Sequence, residues 1–403
     1  MDKQTDTAER RHDRHYRRIW DHILWLVKLV VWLRHKDFRA EPAPPLEGPY
    51  LVLPNHANAY DQFFVGCSFA KRHMYYVVSE HAFRQKLVSF LMRTLFAPIS
   101  RTKGSADASA VRGILRVLRR GVSVCLFPEG NRSWDGRTAP LHPATGKLIK
   151  LAKVPVMTYR ITGGYLADPR WAHTQRKGPI RGGVVNVYTP EELAKLSPEE
   201  ITARIEADLA VDPEANTLPY PGKRLAEGLE EALFLCPKCG KIGALHGRGR
   251  VFSCDCGLRA EYRENGLLAG DIPFASIPEW DAWQQDQLRE MGQKPDFFLS
   301  DVDAELRELG EGHTVTVLAR GRLRLDRTGL TVEEKNVPLD HMQDPSLCHF
   351  GQGETMMFTA GGKTYELLFP RPKKVQPPSI RKYQLLLLDL LEIRREAGED
   401  RAC

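Results

Sequence analysis

Five short apolar runs punctuate the first half of the chain: Tyr50 to Leu53, Tyr75 to Val78, Val122 to Phe127, Val154 to Tyr159 and Val184 to Tyr188. Between them lie amphipathic stretches of helical length at 61–70, 81–95, 107–120 and 143–153. Strand-length runs alternating with helix-length ones predict an α/β layer, a mixed sheet flanked by helices. Ahead of this region, residues 16–34 read as a helix whose apolar stretch, Ile19 to Leu33, is broken by Asp21, His22 and Lys28. A membrane span needs about 20 predominantly apolar residues, so this pattern predicts a helix lying in an interface rather than crossing it. The same stripe would also suit a helix packed on the protein's own core. The prolines of Glu41 to Pro49 then break the chain, because proline lacks a backbone donor. The pattern therefore predicts an amphipathic helix over 1–40 and an α/β domain over 41–233, whose last part, 190–233, is helical and charged.

The second half has a different rhythm. A cysteine-bearing module is expected over 234–264 and a linker over 265–312. Alternating strands follow at Thr314 to Leu318, Arg322 to Leu325, Thr355 to Thr359 and Thr364 to Phe369, with turns at Asp326 to Gly329 and at Gly361-Gly362. A closing helix from Ile380 to Arg395 completes a small β-rich domain over 313–396.

Composition narrows the class. With 403 residues, 42% hydrophobic and 27% charged, the chain is expected to be globular with several domains, neither disordered nor polytopic. Charge sharpens the picture at one place: residues 10–39 hold nine Lys or Arg against three Asp, most of the chain's net +7. Such a segment seeks an anionic surface, phospholipid headgroups or nucleic acid. Trp20, Trp25 and Trp32 favour the headgroup zone, so the expectation is a basic helix on a membrane surface. No apolar signal segment with a cleavage site opens the chain, and the cysteines do not form a disulfide framework. The reading is the cytoplasmic face of the cell membrane, peripheral or monotopic.

The candidate chemistry begins at Asn55-His56-Ala57-Asn58-Ala59-Tyr60-Asp61. A His and an Asp five positions apart sit about 140° apart on a helix and share no face. At a strand-to-helix turn, however, Asp61 can reach back to the imidazole, fix its tautomer and stabilise the imidazolium. The second element, Phe127-Pro128-Glu129-Gly130-Asn131-Arg132-Ser133, ends an apolar run in a glycine turn, a place where α/β proteins put ligand sites. Arg132 suits bidentate pairing with phosphate. The third, Ala97 to Arg101, is a short strand ending in arginine, and two arginines on neighbouring strand ends would make a phosphate clamp.

Taken in order, Asn-His-x4-Asp, the Ile-x-Arg strand end, Phe-Pro-Glu-Gly-x-Arg-Ser and Val154-Pro155-Val156 resemble the glycerolipid acyltransferase family that includes lysophosphatidate acyltransferases. The resemblance spans about residues 50–190. It implies that His56 is a general base oriented by Asp61, that Arg101, Glu129, Gly130 and Arg132 hold the glycerol phosphate, and that Asn55 shapes the turn. The implied reaction is 1-acyl-sn-glycerol-3-phosphate O-acylation, by direct transfer from acyl-CoA or acyl carrier protein to the sn-2 hydroxyl of a lysophospholipid. Backbone amides near Gly130 are a candidate oxyanion site. Asn58, Ser100 and Asn131 depart from the commonest family pattern and leave another lysolipid acceptor open. The loop Gly163 to Trp171 has no assigned place.

Cys236-x-x-Cys239 and Cys254-x-Cys256 have the spacing of a zinc ribbon. Four thiolates leave a structural Zn2+ no open position for catalysis. Ribbons also serve nucleic-acid proteins, and His246, Arg248 and Arg250 lie within this one, so nucleic-acid binding is the rival reading. Few aromatics and few basic residues argue against it, and no nucleic-acid partner is expected. The tail resembles a pleckstrin-homology-like fold, with Lys373 and Lys374 as headgroup candidates.

Overall fold

A computed structural model describes residues 3–70, 72–79, 98–101, 108–310, 314–350, 353–370 and 378–397. The helix expected at 81–95 and the pair Lys373 and Lys374 lie outside them. The described residues divide into two compact units, one built from those up to 225 together with 263–267, the other from 226–262 and from 268 onward.

In the first unit, helix α1 (Lys3–Arg34) leads to β1 (Phe38–Ala40), β2 (Leu51–Pro54), α2 (Asp61–Ser68), β3 (Met74–Ser79) and β4 (Ile99–Arg101). Helix α3 (Ala108–Arg119), β5 (Ser123–Cys125), α4 (Thr145–Ala152), β6 (Val156–Thr162), α5 (Gly164–Ala167) and β7 (Ile180–Tyr188) follow. The seven strands form one mixed sheet in the order β1-β7-β6-β2-β5-β3-β4. Strands β6, β2, β5, β3 and β4 run parallel, and β7 joins β6 antiparallel. Leu51, Val52 and Leu53 are all fully buried, as expected for a central strand covered on both faces. One face is packed by Ile114, Val117, Leu148 and Ile149, the other by Val31, Phe64 and Val65. The expected α/β class with a mixed sheet is what the protein adopts.

Three details differ from expectation. Strand β1 pairs parallel with β7 at the sheet edge, next to the proline segment, and the sequence pattern gave no sign of it. Strand β3 separates β4 from β5, so the segments bearing Arg101 and Arg132 are not on neighbouring strands. At a strand spacing of about 4.8 Å their axes are about 10 Å apart. Third, 190–233 is helical only at first, in α6 (Pro190–Ala194) and α7 (Pro198–Leu209), each started by a capping box. Pro213, Pro219 and Pro221 then keep the chain irregular apart from short 3-10 turns.

Helix α1 combines both readings of its apolar stripe. Tyr16, Trp20, Val27 and Val31 are buried. Trp20 packs so tightly on Gly66 that a Cβ there would stand 2.7 Å from its ring. Asp13 anchors the helix, accepting from Arg120 Nε at 2.8 Å and from the Tyr75 hydroxyl at 2.6 Å. Trp25 and Trp32, by contrast, are 66% and 55% exposed, with Leu26, Leu29 and Leu33 beside them. Among the described residues, no helix is long and apolar enough to cross a membrane.

The second unit opens with a four-stranded antiparallel sheet of β8 (Leu245–Arg248), β9 (Val251–Cys254), β10 (Arg259–Tyr262) and β11 (Leu268–Gly270). Of the span expected as a linker, 265–312, the described residues 265–310 are instead ordered structure. They hold α8 (Ile277–Gly292), capped by Ser276, and β12 (Leu299–Leu309). Trp280, fully buried, donates from Nε1 to the Leu235 carbonyl at 3.0 Å, and Gln284 Oε1 accepts from the Phe234 N–H at 2.9 Å. What reads as a linker by its polar residues is thus a helix with one tryptophan-bearing face inside the core. Strands β12, β13 (Val315–Asp326), β14 (Gly329–Val332), β15 (Lys335–Pro338), β16 (Met342–Phe350), β17 (Gly353–Ala360) and β18 (Lys363–Leu368) form an antiparallel sheet in the order β15-β14-β13-β12-β18-β17-β16. Helix α9 (Ile380–Glu396) buries Tyr383, Leu386, Leu387 and Leu390. Its Arg381 makes a two-pronged, buried ion pair with Asp281 of α8, both contacts at 2.6 Å.

Candidate active site

The loops that leave the carboxyl ends of β2, β5 and β6 converge, as ligand-binding loops do in parallel sheets. The first begins at Asn55. Its side-chain amide donates to the Ile161 carbonyl at 3.0 Å and accepts from the Ile161 N–H at 2.6 Å, extending the β2–β6 ladder by a side chain. This stops the strand and turns His56 out of it.

His56 Nδ1 then meets Asp61 Oδ2 at 2.9 Å, with Asp61 fully buried and His56 22% exposed. The same oxygen accepts the backbone N–H groups of Ala57 and Asn58 at 2.7 and 2.8 Å, while Oδ1 has no hydrogen-bond partner among the described residues. Asp61 is the first residue of α2, so the helix start carries the carboxylate back to the imidazole. The ring of Phe127 lies against the His56 imidazole, centroids 4.5 Å apart. Asn58 is fully buried and uses both ends of its amide, donating to the Gly164 carbonyl at 2.9 Å and accepting from the Tyr60 N–H.

The second loop is tied to the first by backbone. His56 N–H donates to Glu129 Oε1 at 2.6 Å, Ala139 N–H donates to Glu129 Oε2 at 2.8 Å, and Ser133 N–H donates to the His56 carbonyl at 3.0 Å. Burial pushes the Glu129 carboxyl up to about 8, against the pull of these two amide donors; the charge of Asp61 raises it further. Glu129 is thus a strut between two loops, a role its sequence position did not reveal. Gly130, at φ +74°, closes a tight turn by donating its N–H to the Phe127 carbonyl at 3.2 Å. The amides of Gly130 and Ser133 are both engaged, so neither serves as the oxyanion donor sought near Gly130.

The third loop gives Gly163 to Trp171 a place. Gly163 has φ +75°, and a Cβ there would stand 2.2 Å from the Pro179 carbonyl oxygen. Tyr165 donates to the Trp134 carbonyl at 3.2 Å and accepts from Trp171 Nε1 at 3.0 Å. Arg170 donates to the Arg132 carbonyl at 3.2 Å and lies over the Trp134 ring. Asp168 is the unforeseen member: burial raises its carboxyl, and the charge of Arg132 opposes that rise. The signal for this loop was its position directly after a parallel strand. His56, Asp61, Asn55, Glu129, Gly130 and Arg132 are therefore brought together. Arg101 ends β4, and its side chain lies outside the described residues.

In the second unit, the sulfurs of Cys236, Cys239, Cys254 and Cys256 all lie within 4.8 Å of one another. The Cys236–Cys256 and Cys239–Cys254 separations are 3.7 and 3.8 Å. These are far longer than a disulfide bond of about 2.05 Å. They match the spacing of about 3.8 Å between two thiolates held about 2.3 Å from a tetrahedral ion.

Residues 35–162 match the family model described as Acyltransferase. The 1-acyl-sn-glycerol-3-phosphate acyltransferase of Limnanthes alba is 26% identical over 153 residues, 38% of this chain and 54% of that protein. The Cocos nucifera protein of the same name is 21% identical over 180 residues, 44% of this chain and 58% of that protein. The chain thus spans about half the length of these relatives. The crystal structure of the 1-acyl-sn-glycerophosphate (LPA) acyltransferase PlsC from Thermotoga maritima superposes with a TM-score of 0.40 and 22% identity, covering 49% of this chain and 82% of that one.

Proposed function

We propose that the protein, whose residues 35–162 match the family model described as Acyltransferase, acylates the sn-2 hydroxyl of a 1-acyl-glycerol 3-phosphate, using acyl-CoA or acyl carrier protein as donor. The observation that carries this reading is the His56–Asp61 contact at the mouth of three strand-end loops. With Nδ1 held by Asp61, Nε2 takes the hydroxyl proton as the acceptor oxygen bonds to the thioester carbonyl carbon. The carbonyl electron pair moves onto oxygen. Its return breaks the C–S bond, and the leaving thiolate takes the proton back from the imidazolium. No acyl-enzyme forms. Arg132 binds the phosphate, with Arg101 as its partner by family resemblance. The test is a panel of acyl-CoA and acyl carrier protein thioesters against lysolipids in detergent micelles, with diacyl product read by mass spectrometry. Lack of diacyl product with every combination sinks the reading.

One observation favours a second acceptor. The negative charge of the buried Asp168 acts on Arg132 and would weaken its pull on a phosphate dianion. In this reading the acceptor is a lysolipid with a less anionic headgroup, and the panel separates the two.

Our reading places the protein at the cytoplasmic face of the cell membrane; the exposed Trp25, Leu29 and Trp32 beside the basic residues of α1 support a membrane surface as such. The sulfur geometry of the four cysteines fits Zn2+, which would hold the loops of the second unit together without taking part in acyl transfer. Seven antiparallel strands closed by α9 support the pleckstrin-homology-like reading of the tail.

A further inference from the structure

Away from the catalytic turn, the end of α1, strand β1 and the last residues of α2 enclose a cavity of about 550 Å³. Its rim is cationic: Lys28, Lys36, Arg39 and Arg72 all line it. Arg39 donates only to the Lys36 and Phe38 carbonyls, Arg72 donates to the Pro44 carbonyl and lies over Tyr50, and Lys36 lies over Trp32. Among the described residues none of the four makes an ion pair. Four positive charges without a carboxylate repel one another unless an anion joins them.

The cavity's other lining is apolar, formed by Val31, Trp32, Phe38 and Phe69. His35 completes it. This side chain is 5% exposed and is packed against Tyr60 and Phe64, and its Nε2 is buried with no partner among the described residues. A buried polar nitrogen left unpaired is costly, and a bound acceptor or donor would recover that cost. Burial lowers the His35 pKa to about 4, so the ring is neutral and offers one donor and one acceptor.

We propose that this cavity binds one acidic phospholipid, its phosphate among the cations of the rim and the upper part of an acyl chain against Phe38 and Phe69. The exposed Trp32 that borders the cavity continues into the apolar face of Trp25 and Leu29, so the lipid would come from the bilayer on which α1 lies. The inference rests on the membrane-surface reading of α1 for that source, and not on acyl transfer. None of His56, Asp61, Glu129 or Arg132 lines the cavity, although His35 packs on Tyr60 of the catalytic turn.

The test titrates the full chain with dihexanoyl phosphatidylglycerol below its micelle-forming concentration, by calorimetry. One saturable site is expected, at least tenfold tighter than for dihexanoyl phosphatidylcholine or for glycerol 3-phosphate. Lys36→Gln with Arg39→Gln should weaken it at least tenfold, and Arg132→Ala should leave it unchanged. Both cations are exposed, so melting and circular dichroism should be unaltered, and Lys28→Gln serves if the double variant does not fold. Equal binding of the zwitterionic lipid overturns the proposal, as does undiminished affinity in the cation variants. Glycerol 3-phosphate binding as tightly as the lipid would mean a site for phosphate alone. Loss of binding in Arg132→Ala would place the lipid in the catalytic pocket. Because this titration uses no bilayer, its failure is distinct from a failure of α1 to bind a membrane surface.

Discussion

Nδ1 of His56 stands 2.9 Å from Oδ2 of Asp61, the oxygen on which the backbone N–H groups of Ala57 and Asn58 also converge. Three donors on one buried oxygen fix the carboxylate, so the tautomer of the imidazole is set by the backbone of the turn itself. Asp61→Asn keeps the shape and removes the charge. Its kcat should fall on the order of 10³-fold with KM for the lysolipid nearly unchanged. A kcat within threefold of wild type would remove Asp61 from the mechanism.

Glu129 gives a signature in stability. Its folded pKa of about 8 lies above its ordinary 4.5, so the folded state holds the proton more tightly. The stabilisation is complete below about 4.5 and is lost as pH rises through 8. Against Glu129→Gln, which does not titrate, wild-type stability should decline by up to about 1.4 kcal/mol per pH unit across that window and level off above it. Parallel stability curves for the two proteins in denaturant titrations would show that Glu129 ionises normally.

Arg132 and Asp168 should act oppositely on the acceptor. A charge-assisted hydrogen bond of about 1.5–3 kcal/mol predicts a roughly 10- to 150-fold loss in kcat/KM for lysophosphatidate in Arg132→Ala. Asp168→Asn removes a negative charge that acts on Arg132 and should lower KM for the same substrate. If Asp168→Asn leaves that KM alone and Arg132→Ala is nearly silent, the acceptor carries no phosphate monoester.

Metal content separates the units. The purified protein should hold about one Zn2+ per chain, read by mass spectrometry, and Cys239→Ser or Cys254→Ser should lose it. Chelation should lower the melting temperature of the second unit. Unchanged melting with no metal bound would mean that the four thiols stand alone.

Much of the first unit was legible because its signals are local. The fully apolar Leu51 to Leu53 could only be a covered strand, and His56 followed by Asp61 had a meaning only at the turn after it. Boundaries within the sheet region moved by at most four residues, whereas α1 begins at Lys3 rather than at Tyr16. What escaped depends on contacts distant in sequence. Glu129 is a strut because Ala139 and His56 both donate to it, and Asn58 is structural because Gly164 faces it. Strand β1 has three residues and exists by pairing with Ile180 to Gly182. The supposed linker reads as polar, yet the Arg381–Asp281 pair and the Trp280 and Gln284 contacts hold its helix in a core. The two tryptophans of α1 left in solvent and the one buried on Gly66 show why a stripe alone could not decide between core and interface.

The central claim is that His56 takes the proton of a lipid hydroxyl. It is tested most directly by thiol release from acyl-CoA with lysophosphatidate in micelles, comparing wild type with His56→Ala at equal folded content. Rapid wild-type release that depends on the lysolipid, with the variant reduced on the order of 10³-fold or more, is the expected result. Equal rates in the two proteins, or release that ignores the lysolipid, would contradict it.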